Sequence, residues 1–157
     1  MRFLTAAALF VASIILLLVG VAQRTIWAPA PDFSMSIVAT NTQPYLLIPN
    51  SVLAAHPGDA IVEVSGTKNI VVAAGRESDV KAWLGTSAVT TVSLPKKGTK
   101  PEVVNTPGGL AGGTPEGSDL WRTQAVSKTG FGRLATSAED GGAVLIASNG
   151  IKSAPNK

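Results

Sequence analysis

The chain has 157 residues, a formal net charge of +3, no cysteine and one histidine. That length holds one modest domain, or one domain plus an anchor. Without cysteine there are no disulfide staples, no zinc–cysteine or iron–sulfur ligation and no lipid-modified cysteine, and one histidine leaves no His-rich metal site. Apolar residues make up 45% against 15% charged, and the excess is concentrated at the N-terminus.

Phe3 to Ala22 is a run of 20 uncharged residues interrupted only by Thr5, Ser13 and Gly20. Twenty helical residues span about 30 Å, the thickness of a bilayer's hydrocarbon core. The run is predicted to contact the lipid bilayer as a single-pass helix. Arg2 and the α-amino group precede it and Arg24 follows, a narrow bias that sets the N-terminus inside and the bulk of the chain outside the membrane. An uncleaved anchor is preferred over a cleaved signal, whose apolar stretch is shorter, although Gly20-Val21-Ala22 has the small-x-small form of a cleavage site. Ala8 and Ala12 have the spacing of a helix-packing pair, yet alanine is common in any span. Ile26 to Pro31, with Trp27, reads as a stiff interfacial exit.

Beyond the exit the pattern turns to short strands. Phe33, Met35, Ile37 and Ala39 alternate along Phe33 to Thr40, and Tyr45 to Ile48 is bounded by prolines. Ala60 to Ser65 and Ile70 to Ala74 are β-branched runs joined by Gly66-Thr67-Lys68-Asn69, which reads as a hairpin connection. A helix follows, with Ser78 as its cap, Val80, Trp83 and Leu84 on one face and Gly85 as its stop. Ala88 to Leu94, Leu120 to Val126 and Gly142 to Ser148 complete the strands, the last closed by an Asn149-Gly150 turn. Pro95 to Ser118 contains six glycines and four prolines in 24 residues, with Lys96, Lys97 and Lys100 near its start, and reads as a solvated flexible loop. The fold expected is mainly β: a transmembrane helix, then a small antiparallel β-sandwich or open barrel with one short helix. Its divisions are an anchor at 1–24, a juxtamembrane linker at 25–32, a first β-rich half at 33–94, the loop at 95–118 and a second half of the same domain at 119–157.

No catalytic, cofactor-binding or metal-ligating set emerges from the motifs. Ser65-Gly-Thr-Lys68 and Lys128-Thr-Gly130 mimic the S-x-x-K and K-T-G elements of serine acyl-enzymes. That chemistry needs the serine at a helix start, where the lysine one turn on reaches its hydroxyl, whereas Ser65 ends a strand. Leu94-Pro-Lys-Lys-Gly98 lacks the threonine of a sortase signal and any following hydrophobic tail. Glu139-Asp140 are adjacent on the chain and point apart. His56 sits in a surface turn with no nucleophile at useful spacing. Residues 25–157 carry 11 basic and 10 acidic side chains with no basic stripe among aromatics, which excludes a nucleic-acid partner.

Two clusters stand out, Gly75-Arg-Glu-Ser-Asp-Val-Lys-Ala-Trp-Leu-Gly85 and Gly117-Ser-Asp-Leu-Trp121. With Ala22-Gln-Arg-Thr25 they resemble an uncharacterised family of actinobacterial membrane proteins, some of which bear the automatic label "glycosyl transferase". The resemblance implies an extracytoplasmic β-rich domain between two membrane helices and a basic cytoplasmic tail. This chain departs from that plan by stopping at Lys157 without a second apolar span, which reads as a shorter member or a truncated sequence. The transferase label finds no support in these residues. Trp83 and Trp121 are expected to pin a small core, and Arg76 and Asp79, three apart, to pair across the helix start.

The expectation is a non-catalytic, membrane-anchored extracytoplasmic domain of a bacterial cell envelope that binds an envelope protein or cell-wall polymer. The alternatives are an envelope enzyme or glycosyltransferase-associated membrane protein, and a sensor signalling through the helix. Convergence of three among Asp59, Glu63, Arg76, Asp79, Asp119 and Arg122 in one cleft would favour an enzyme.

Overall fold

A computed structural model of the chain describes residues 2–27, 34–40, 43–56, 58–66, 68–95, 100–109 and 112–155. Phe33, most of the expected exit segment, and Lys96 and Lys97 lie outside the described residues. The chain divides into two compact units, Met1–Ser34 and Met35–Lys157.

The first unit is helix α1, Arg2–Thr25, which buries none of its side chains. It is long and apolar enough to cross a membrane. Its three hydroxyl side chains are satisfied within the helix: Thr5 donates to the Arg2 carbonyl at 2.8 Å, Ser13 to Phe10 at 2.9 Å and Thr25 to Val21 at 2.8 Å. Such back-bonding removes the need for outside partners in an apolar surrounding.

The second unit is mainly β. Its elements are β1 (Tyr45–Ile48), α2 (Asn50–Leu53), β2 (Asp59–Ser65), β3 (Ile70–Arg76), α3 (Glu77–Leu84), β4 (Val89–Ser93), β5 (Glu102–Thr106), β6 (Thr123–Ser127), β7 (Phe131–Ser137) and β8 (Gly142–Ala147). Six strands form one sheet in the order β5-β4-β1-β8-β3-β6, and β2 and β7 form a separate antiparallel ribbon. The large sheet is mixed: β1 and β4 run parallel, Tyr45 opposite Val89, while its other pairs are antiparallel. Among the described strands only β4 and β5 are both paired and consecutive in the chain.

The strand periodicity sorts side chains onto two faces. Ile70, Val72 and Ala74 of β3, with Leu46, Val92, Val144 and Ile146, join Val62, Val64 and Leu134 of the ribbon and Val52 and Leu53 of α2 in one core. The opposite face carries smaller residues on β8, Ala143 and Ala147 beside Leu145, and receives Val80 and Leu84 of α3. Small strand residues leave room for the helix and its large aromatic neighbours. Thr90 is the fully buried polar residue of the first face. Its hydroxyl donates to Asn105 Oδ1 at 2.6 Å and accepts from the Gln43 amide at 2.8 Å.

Several expectations are corrected. Residues 66–69 do not close a hairpin, since β2 pairs with β7 and β3 with β6 and β8. The reason lies in burial: β3 is covered on both faces along six residues, a central strand, whereas β2 alternates as a surface ribbon does. The loop at 95–118 contains β5, which pairs with β4 from Glu102–Ser93 to Thr106–Val89. Residues 34–40 bury Ala39, with Met35 and Ile37 packed against the same core, but form no strand. Arg76 holds the N-cap position without a side-chain capping bond, and Ser78 lies inside the helix and donates to Asp79 at 3.1 Å. Gly85 does stop the helix, in a left-handed conformation at φ 52°, where a Cβ would be costly.

Candidate functional site

The two sequence clusters meet on the helix-covered face. Gly75 lies on β3, and an added Cβ there would stand 3.0 Å from the Leu120 carbonyl and 3.2 Å from Trp121 Cε3. Glycine at this strand position therefore admits the indole of Trp121. Trp121 packs edge-on against Trp83 of α3, ring centroids 5.7 Å apart at 62°, and Trp83 meets Tyr45 of β1 at 5.4 Å and 84°. The three rings form a continuous shelf. Tyr45 is fully buried, and burial pushes its phenol above its ordinary pKa. Both tryptophans are partly buried and pack against the cluster of Tyr45, Leu47, Val80, Leu84 and Leu145, as the core reading expects.

Residues 112–118 lie as a strap over this shelf. Tyr45 Oη donates to the Gly113 carbonyl at 2.6 Å, and Trp121 Nε1 donates to the Pro115 carbonyl at 2.6 Å. The Gly117 amide donates to Gln124 Oε1 at 3.1 Å. Pro115 is fully buried, while Gly112, Thr114, Glu116 and Gly117 are exposed. Gly150 flanks the strap, and a Cβ there would collide with the Gly113 carbonyl.

The six ionisable candidates are carried by the ribbon, the start of α3 and the segment ahead of β6. Asp59 and Glu63 lie on the ribbon, where Glu63 pairs with Arg133 at 3.5 Å with both side chains more than half exposed. Arg76 and Asp79 sit at the start of α3, but the ion pair there joins Glu77 and Lys81. Asp119 and Arg122 are exposed ahead of β6, Arg122 donating to the Glu139 carbonyl at 3.4 Å. Glu77 Oε2 also accepts the Asn50 amide at 2.8 Å, and the Lys81 ammonium beside it holds its carboxyl below the usual range. With the Asn50 amide in the orientation that satisfies its neighbours, its nitrogen donates to the carbonyls of Ala138 at 2.8 Å and Gly142 at 3.1 Å, so this network links α2, α3 and β8. It is structural in character, each group satisfied by a neighbouring element.

The acyl-enzyme look-alikes do come together, with Gly66 N donating to the Gly130 carbonyl at 3.1 Å and Ser65 opposite Phe131. Ser65 nonetheless ends a strand and Lys68 and Lys128 are exposed, which is not the helix-start geometry of that chemistry. Among the described residues no group of three or more His, Asp or Glu is placed to hold a metal ion.

Sequence reasoning found both tryptophans but missed Tyr45 and the strap. The available signal was a lone tyrosine in an apolar strand, whose buried hydroxyl must find an acceptor. Nothing local names that acceptor, 68 positions away. No family model, curated protein or solved structure matches this chain.

Proposed function

We propose that this chain is a membrane-anchored, outward-facing domain of a bacterial cell envelope that acts by binding an envelope protein or cell-wall polymer. The observation that carries the reading is α1: a 24-residue apolar helix with all its side chains outside any protein core and its hydroxyls bonded back to its own backbone. Leaving that much apolar surface in water costs about 25 cal/mol per Å², so the helix calls for a lipid environment. The outward orientation is part of the same proposal and is what the labelling below decides. A binding role fits a domain whose conspicuous partly buried side chains are aromatic. The resemblance of the Gly75–Gly85 and Gly117–Trp121 clusters to actinobacterial membrane proteins is part of the same reading.

Topology is tested by thiol labelling. The chain has no cysteine, so Lys128→Cys, at an exposed position, gives one reporter. A membrane-impermeant maleimide is expected to label it on intact cells in which the chain fractionates with membranes. Labelling only after lysis would reverse the orientation, and recovery in the soluble fraction would remove the anchor.

A further inference from the structure

We infer that one end of the second unit is a lipid-docking surface: Phe131 and Ile151 enter the headgroup boundary of an anionic bilayer while Lys68, Lys128 and Lys152 meet its phosphates. This extends membrane contact from the helix to the β domain, and it rests on the membrane residence proposed above.

Strand direction brings the surface together. β2 and β6 end where β7 and β3 begin, Ser65 opposite Phe131 and Ser127 opposite Ile70. β8 ends at the same place, Ala147 opposite Val71. Three turns therefore emerge side by side, at 65–70, 127–131 and 147–152. They are tied to one another. The Gly66 amide donates to the Gly130 carbonyl at 3.1 Å, and Ser148 Oγ donates to the Lys68 carbonyl at 3.3 Å.

Fixed backbone holds apolar side chains out of the core here. Asn149 Oδ1 accepts the amides of Ile151 at 3.1 Å and Lys152 at 2.9 Å, and the Ala154 amide donates to the Gln43 carbonyl at 2.9 Å. Between these ties Ile151 is 79% exposed, more than any other large apolar side chain described in the second unit. Phe131, next to the Gly66–Gly130 bond, is 52% exposed.

Charge is sorted in the same sense. The three turns carry Lys68, Lys128 and Lys152, all exposed, and no acidic residue. Asp59, Glu77, Asp79, Glu102, Asp119 and Glu139 belong to the opposite end of the strands, where Arg76 and Arg122 accompany them. Glu63 is paired with Arg133 partway along the ribbon, and Glu116 lies in the strap. A soluble polyanion would satisfy the lysines and leave Phe131 and Ile151 in water. An anionic bilayer receives both, the rings and methyls at the acyl boundary and the ammoniums at the phosphates. Each lysine near such a surface strengthens binding about fivefold. The ammonium heads stay in the aqueous headgroup layer, which leaves position 128 open to a water-borne reagent.

The test uses the full-length chain assembled into lipid nanodiscs. Thr129→Cys, exposed in one of the turns, and Glu102→Cys, exposed at the opposite end, each carry a bimane fluorophore. The discs contain phosphatidylcholine alone or an equal mixture with phosphatidylglycerol, each with a trace of lipid bearing a nitroxide quencher near the headgroup. Bimane at position 129 is expected to be quenched at least about threefold more strongly in the anionic discs, and bimane at position 102 weakly and equally in both. Combining Lys68→Gln, Lys128→Gln and Lys152→Gln is expected to abolish the difference between compositions. Phe131→Ser with Ile151→Ser is expected to remove the quenching in anionic discs. All five side chains are exposed, so the fold does not depend on them. Equal quenching at 129 and 102, equal quenching in the two compositions, or quenching that survives either set of substitutions would overturn the inference. Poly-aspartate bound through the three lysines by a chain that shows no quenching at 129 would give the surface to a soluble polyanion and likewise overturn it. A chain that stays out of the discs would overturn the anchor and this inference together, whereas one that enters them without composition-dependent quenching overturns this inference alone.

Discussion

Replacing Trp121 by alanine removes three interactions at once, and their sizes follow from the geometry. The indole is partly buried on Gly75. A fully buried tryptophan costs about 3–5 kcal/mol on truncation, and partial exposure brings the packing share to roughly 2 kcal/mol on the same scale. The hydrogen bond to the Pro115 carbonyl adds about 1 kcal/mol. The edge contact with Trp83 adds about 0.5–1 kcal/mol. The sum, about 3–4 kcal/mol, is a large part of the roughly 5–15 kcal/mol that holds a domain together. For a domain of this size each kcal/mol lowers the melting midpoint by about 3–5 °C, so Trp121→Ala is expected to melt about 10–15 °C lower. Trp121→Phe keeps a ring and loses the N–H, and is expected near about 5 °C. Thermal melts of the full-length chain in detergent, followed by the β-sheet circular dichroism signal, measure both. An alanine variant melting within about 2 °C of the parent would show that the ring contributes no core packing.

Thr90→Val keeps the shape and leaves Asn105 Oδ1 and the Gln43 amide without this hydroxyl, and urea unfolding is expected to register a loss of about 1–3 kcal/mol. Gly75→Ala forces a methyl toward the Leu120 carbonyl and the indole, for an expected loss of about 1–3 kcal/mol and a shifted fluorescence maximum. The Glu77 carboxyl titrates lower in the fold than in the unfolded chain, chiefly through Lys81. Below its ordinary pKa the unfolded state binds more protons, so the stability from this group is present above that value and lost as pH falls through the folded one. Urea midpoints measured downward from pH 6 are therefore expected to fall less steeply in Glu77→Gln than in the parent, and identical acid limbs would refute the assignment.

The contrast between what the sequence reveals and what it hides is physical. The helix is legible in the uncharged run itself, and β1, β3, β4 and β8 announce themselves through apolar or β-branched stretches. Strand β7 is hidden because one of its inward positions is Gly132, where a Cβ would stand 3.2 Å from methyls of Ile70 and Val72, so apolar alternation is broken where packing is tightest. Strand β5 is hidden because it lies at the sheet edge, four of its five residues exposed, inside a stretch dense in proline and glycine. The tryptophan clusters are legible as separate local patterns. Their union with Tyr45 and the strap is not, since it is made by pairings between distant strands that local patterning does not encode.

The strand order has a consequence for how the protein is made. β8 is threaded between β1 and β3, pairing with both, and its residues follow those of β1 by about 100 positions. Until Gly142–Ala147 are made, β1 with its partner β4 and β3 with its partner β6 are not joined to each other, and neither core face can close. Distant pairings of this kind slow folding because the chain entropy is surrendered before the contacts form. Joining the β5-β4-β1 and β3-β6 parts of the sheet therefore waits for β8, the last strand in chain order among the described residues, and until then both parts expose apolar strand edges that invite mispairing.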